Sequence, residues 1–306
     1  MLDPACGSGH ILVEVFDILK DIYLERGYQP RAIPRLILEK NIFALDIDER
    51  ATQLAGFALA MRARADDRRL FSEPFRLNVV AIKDSAGLLA GELETHLSAF
   101  GVSEREVRLL LEEFFDAKTL GSLVNPSSEL AESLQGLEEG TKKAGLSGDV
   151  FAKAAAEDIA PLIEQARLLL AKFDVVVANP PYMGMRGMFP RLKQLAKNLY
   201  PDSKADLFSM FIERGQVFTK PFGLTSMVTM HSWMFLSSFE VFRSKLLASN
   251  TILSLAHFGP RAFPEISGEV VQTAAFCALN HPLPDYIPTF LRLVEGDENQ
   301  KIRVVC

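Results

Sequence analysis

The stretch FDVVVANPPYMG, residues 173–184, carries five apolar residues in its first six and then Asn-Pro-Pro-Tyr. Phe173 to Ala178 reads as a buried strand. The two prolines that follow lack an N–H and cannot extend its ladder. Asn179 and Tyr182 therefore stand on a stiff mount at the strand's carboxyl end, where open α/β sheets bind their ligands.

Helix and strand periods alternate on either side of this stretch, the pattern of a mostly parallel α/β sheet. Upstream, residues 9–26 read as a helix with Ile11, Leu12, Val15, Phe16, Leu19 and Ile22 on one face. Residues 41–48 (NIFALDID) read as a strand, 49–65 as a helix and 75–84 (FRLNVVAIKD) as a strand. Downstream, 206–219 and 237–249 read as helices, and 224–233, 251–259 and 270–280 as strands. The last two strands leave no room for a crossover helix, so one of them should run antiparallel. The expected sheet has seven strands with one antiparallel, and its first strand looks truncated, since only Met1 and Leu2 precede Asp3. Residues 85–172 break the rhythm and read as a helical insertion between the third and fourth strands. The expected divisions are 1–84, 85–172, 173–280 and a following, truncated region 281–306.

The chain has 306 residues, of which 48% are hydrophobic and 24% charged, a globular composition. No apolar run approaches the ~18 residues of a membrane helix, and MLDPACGSGH has no signal-peptide features. Three scattered cysteines, Cys6, Cys277 and Cys306, suggest reduced thiols in a cytoplasm and lack zinc-ligand spacing. The net charge is −6, yet residues 85–172 hold 15 acidic against 8 basic residues. The average therefore hides a basic segment after the Asn-Pro-Pro-Tyr, with Arg186, Arg191, Lys193, Lys197 and Lys204 against Asp202 alone. A polyanion has a place to approach there.

Three further strand ends carry chemistry. DPACGSGH (Asp3 to His10) is a glycine-rich turn into a helix, and Gly7 and Gly9 permit positive φ and close backbone approach to a ligand. Asp46 ends the second strand, where a carboxylate can accept from both hydroxyls of a ribose; Asp48 suits a helix cap better. Asp84 ends the third, where an acceptor can meet an adenine amino group. Cys6 reads as a small filler of the turn and His10 as a capping or packing residue.

With these residues the chain resembles the catalytic domain of S-adenosylmethionine-dependent N6-adenine DNA methyltransferases, over residues 1 to about 280 except the insertion. DPACGSG resembles the methyl-donor loop of that family, NPPY its catalytic signature and RAFPEISGEVVQTAAFCAL its late aromatic motif. The order, donor loop first, is that of the γ class, and the insertion is similar to methylases of fused restriction-modification and phage-exclusion systems. The resemblance implies a Rossmann-like methyltransferase fold with S-adenosylmethionine as cofactor. It implies donor contacts from Asp3, Pro4, Ala5, Gly7, Gly9, Asp46, Ile47, Asp84 and Phe211, and catalysis by Asn179, Pro180, Pro181 and Tyr182. Tyr182 and Phe263 would flank a flipped-out adenine, and Arg186, Arg191, Lys193 and Lys197 would meet the DNA backbone. The implied partners are double-stranded DNA, bound through a recognition domain outside this chain, and defence-system subunits. Two alternatives stay open: an NPPY enzyme acting on protein glutamine or RNA, and a truncated, non-catalytic remnant.

Overall fold

The computed structural model describes residues 1–260 and 272–295. Along the chain lie β1 (Leu2–Asp3), α1 (His10–Glu25), α2 (Ile33–Leu36), β2 (Phe43–Asp46), α3 (Glu49–Asp66) and β3 (Asn78–Ala81). Five helices follow: α4 (Ala90–Leu97), α5 (Glu104–Glu113), α6 (Ala117–Leu120), α7 (Ser128–Gly145) and α8 (Val150–Leu170). Then come β4 (Phe173–Ala178), α9 (Pro190–Leu199), α10 (Leu207–Phe218), β5 (Thr219–Met230), α11 (Glu240–Ser249), β6 (Thr251–Gly259), β7 (Thr273–Leu279) and β8 (Thr289–Arg292). The chain forms two compact units, one of Met1–Ala5 with Lys172–Cys306 and one of Cys6–Ala171.

In the first unit the strand order is β1-β4-β5-β7-β6-β8. Parallel pairing places Leu2 beside Val176 and Ala178 beside Met227. β7 runs antiparallel to both β5 and β6, as the short link between the last two apolar runs requires. The carboxyl ends of β4, β5 and β6 consequently share one edge. β8 pairs in parallel with β6 and brings the strands to eight among the described residues, one more than the sequence suggested. Three of its four residues are exposed, so it has no buried periodicity to betray it. β5 starts earlier than its apolar run because Lys220–Gly223 forms an irregularity against β4, where Pro221 needs no N–H. It ends at Met230, and His231–Met234 is a 3₁₀ turn rather than strand.

In the unit Cys6–Ala171, β2 pairs in parallel with β3 from Phe43↔Asn78 to Asp46↔Ala81, and α3 packs on both strands. On α1 only Leu12 and Phe16 are fully buried and Ile22 is exposed, a narrower face than its periodicity implied. The insertion is helical, with caps its sequence supplies: Ser103 and Glu106 form a capping box on α5, and Asp149 caps α8. Among the described residues no helix is long and apolar enough to cross a membrane.

Candidate active site

β4 delivers Asn179 to solvent, buries Pro180, exposes Pro181 and leaves Tyr182 half-buried. The Tyr182 hydroxyl lies 3.1 Å from Asn179 Oδ1 and 3.3 Å from the Val228 carbonyl on β5. Its single proton serves one acceptor at a time, so it can orient the Asn179 amide or release it to another donor. Burial, aided by Asp206, pushes the Tyr182 phenol up to about 12, so it stays a donor at neutral pH. Phe208 meets the ring edge-on with centroids 6.1 Å apart, which fixes its plane.

Asp206, the N-cap of α10, was not singled out as a site residue from the sequence. Its Oδ1 accepts from Met183 N–H at 3.0 Å and Phe208 N–H at 3.4 Å. Leu207 N–H donates back to the Met183 carbonyl at 3.0 Å, and Gly184 bridges Asp206. The loop after Tyr182 is thereby stitched to the start of α10. Burial raises the Asp206 carboxyl from its ordinary value, against the lowering pull of those amides. The sequence signal was an aspartate directly before an apolar helical run.

In the same unit Asp3 is buried and its Oδ1 accepts the Ala5 N–H at 3.0 Å, while Pro4 is buried and Ala5 half-buried. Phe211 sits on α10 only 5% exposed, which leaves a ligand no more than an edge of the ring. Arg186, Arg191 and Lys197 are exposed and Lys193 half-exposed. Lys193 and Lys197, four apart on α9, share a face, which Arg191 does not. Phe263 lies outside the described residues.

The second unit holds the glycine turn. Cys6, buried, donates its N–H to Leu45 O at 3.1 Å, and Gly9 donates to Cys6 O at 2.9 Å. Gly9 has φ +87°, and a Cβ there would stand 2.8 Å from Ala55 Cα, so only glycine lets the turn lie against α3. Gly7 has φ +52° with open space where its Cβ would be. Asp46 Oδ2 accepts the Gly7 N–H at 2.8 Å and Oδ1 the Asp48 N–H at 2.9 Å. Both oxygens are thus aimed by amides, and each retains a lone pair. Asp48 caps α3 by accepting from Arg50 and Ala51. His10 is the exposed first residue of α1 and caps nothing. Ile47 is 50% exposed. An open glycine backbone, a fixed carboxylate and an exposed apolar side chain fit a nucleoside.

An α/β fold with a glycine turn at one strand end and Asn-Pro-Pro-Tyr at another defines a Rossmann-like methyltransferase. The sequence profile of the Eco57I restriction-modification methylases matches residues 40–263, and the chain belongs to that family. It is 45% identical to the adenine-specific methyltransferase BrxX of Escherichia coli O9:H4 (strain HS), over 98% of this chain and 27% of that protein. It is 37% identical to the adenine-specific methyltransferase PglX of Lacticaseibacillus casei (strain Zhang), over 98% of this chain and 25% of that protein. The chain thus spans about a quarter of the length of these curated relatives.

Among solved structures, the ATP-dependent Type ISP restriction-modification enzyme LlaBIII bound to DNA aligns with TM-score 0.56 and 14% identity, over 99% of this chain and 18% of that one. A nuclease-deletion mutant of the Type ISP enzyme LlaGI, in complex with a DNA substrate mimic, aligns with the same score and identity, over 99% of this chain and 22% of that one. At that identity the likeness is one of fold.

Proposed function

We propose that this chain is the catalytic part of an enzyme that methylates N6 of adenine in DNA, within a phage-defence or restriction-modification system. The observation that carries the reading is Asn179-Pro180-Pro181-Tyr182 on its fixed mount at the end of β4. An adenine amino group is a poor nucleophile because its lone pair is delocalised into the ring. Asn179 Oδ1 and the Pro180 carbonyl would accept its two N–H bonds and favour a tetrahedral nitrogen, a case of preorganised electrostatics. S-adenosylmethionine, when bound, supplies an activated methyl on a cationic sulfur.

Asp46 would accept from the donor's ribose hydroxyls and Asp84 from its adenine amino group. Ile47 would pack on that ring and Phe211 would offer it an edge. Asp3, Pro4, Ala5, Gly7 and Gly9 would shape the donor turn. A base in a duplex must be flipped out to reach such a site. Tyr182 would stack on it, a contact of about 1–3 kcal/mol, with Phe263 on the other face. Arg186, Arg191, Lys193 and Lys197 would meet the DNA backbone, while sequence recognition would come from a part of the protein outside this chain. Defence-system subunits are proposed partners, and the cytoplasm the proposed compartment. The names of the two curated relatives support the adenine specificity.

The test counts methyl groups transferred by the intact protein to DNA, RNA and release-factor protein. Transfer to DNA is expected, and Asn179→Ala should lower it about a hundredfold to a thousandfold while donor affinity changes little. Transfer to protein alone would sink the DNA reading.

A further inference from the structure

Lys83 and Asp84, just after β3, and Ser85, where the insertion begins, are each tied to the insertion's helices. Gln165 on α8, fully buried, accepts the Lys83 N–H at 2.8 Å and donates to the Lys83 carbonyl at 3.0 Å, so a side-chain amide stands in for a neighbouring strand. Asp84 Oδ1 accepts the Lys118 N–H of α6 at 2.7 Å. Ser85, also buried, donates its N–H to Phe114 O at 3.0 Å and its hydroxyl to Leu111 O. At the neighbouring strand β2 the insertion touches again: a Cβ on Gly121, which has φ +59°, would stand 3.1 Å from Ile47 Cγ2. The insertion therefore returns, through residues 117–121, to the two strand ends that carry Asp46, Ile47 and Asp84.

We infer that residues 117–121 form a wall of the donor's adenine subsite and set its selectivity for an amino-bearing base. The inference rests on the donor-site reading of Asp46, Ile47 and Asp84. A carboxylate is planar, so holding Asp84 Oδ1 on the Lys118 amide fixes the direction of Oδ2, which becomes the acceptor for an exocyclic amino group. Replacing that amino group by a carbonyl would set oxygen against oxygen, a mismatch that a fixed acceptor cannot rotate away from. Gly121 does for Ile47 what Lys118 does for Asp84. By lacking a Cβ it leaves room for one side of an apolar side chain whose exposed remainder would receive the face of the ring. Lys118 and Gly121 are positioning residues, acting through Asp84 and Ile47.

The test combines hydrogen exchange and calorimetry on the intact protein, with S-adenosylhomocysteine and S-inosylhomocysteine as probes. In the wild type the amides of residues 117–121 should exchange more slowly when S-adenosylhomocysteine is bound, and the inosine analogue should bind at least about tenfold more weakly. Lys118→Pro removes the N–H in the first turn of α6, where proline is tolerated, and Gly121→Ala pushes on Ile47. Lys118→Pro should weaken S-adenosylhomocysteine about tenfold and bring the two affinities toward equality, whereas Gly121→Ala, acting on the ring face, should weaken both probes about tenfold and leave their ratio unchanged. Gly136→Ala on α7, where a Cβ would make an ordinary 3.5 Å contact with Glu106, should leave both unchanged. Failure of the wild type to bind S-adenosylhomocysteine would overturn the donor-site reading and this inference together. Binding with unchanged exchange at 117–121 would overturn this inference alone. The exchange arm needs only wild-type protein, so a variant that fails to fold does not remove the test.

Discussion

Cys6 to Gly9 holds its shape chiefly with backbone: two positive-φ glycines, the Cys6–Leu45 bond and the approach of Gly9 to Ala55, with one outside side chain, Asp46, on the Gly7 amide. Asn179 to Gly184 holds its shape with side chains: two prolines that fix φ, Tyr182 on Val228, and Asp206 on the Met183 amide. The first region needs a side chain to be absent at Gly9, and the second needs particular ones to be present. They should fail differently. A substitution in the glycine turn acts through sterics and costs folding stability, whereas one in the Asn-Pro-Pro-Tyr loop acts through aim and costs rate.

Gly9→Ala should break the comparison on the steric side. The added Cβ overlaps Ala55 and sits at an unfavourable φ, which together cost about 2–5 kcal/mol in a urea unfolding curve. Wild-type stability would mean that the turn is not held by backbone fit. Asp206→Ala should come next, with methyl transfer reduced about tenfold to a hundredfold by loss of positioning and stability by only about 1 kcal/mol for the lost cap. Asp206→Asn keeps an acceptor oxygen and should recover most of the rate. A loss in stability as large as that of Gly9→Ala, with no effect on turnover of the folded fraction, would erase the distinction. Tyr182→Phe should have the smallest effect: the ring stays and one hydrogen bond goes, about 1 kcal/mol or roughly fivefold in kcat/KM. A much larger drop would make the hydroxyl more than an aligner of Asn179.

The strands that position the site were legible because each is an apolar run ending in chemistry: Leu45 before Asp46, Ala178 before Asn179. That one of the last two strands runs antiparallel followed from the short link between them, and the structure shows it to be β7. β8 was not legible, since Thr289, Phe290 and Arg292 are exposed and show no alternation. The 3₁₀ turn at His231–Met234 was read as strand because periodicity does not distinguish an apolar turn from a strand end. Within the site the chemical groups announced themselves, and their supports did not. The bonds from Asp206 to Met183, from Gln165 to Lys83 and from Asp84 to Lys118 span 23, 82 and 34 residues, and no local pattern encodes such pairs.

The Gln165–Lys83 clamp also orders events in time. A growing chain emerges at about 5–20 residues per second. Lys83 therefore waits some 4–16 s for the partner 82 positions later that satisfies both its backbone groups. Cys6 to Gly9 can close on Leu45 and Ala55 as soon as α3 is out, long before that. The expected order on the ribosome is therefore the glycine turn early and the end of β3 late, which pulsed hydrogen exchange on stalled chains would check. Until Gln165 arrives, the Lys83 N–H and carbonyl lack the partner they have in the folded chain.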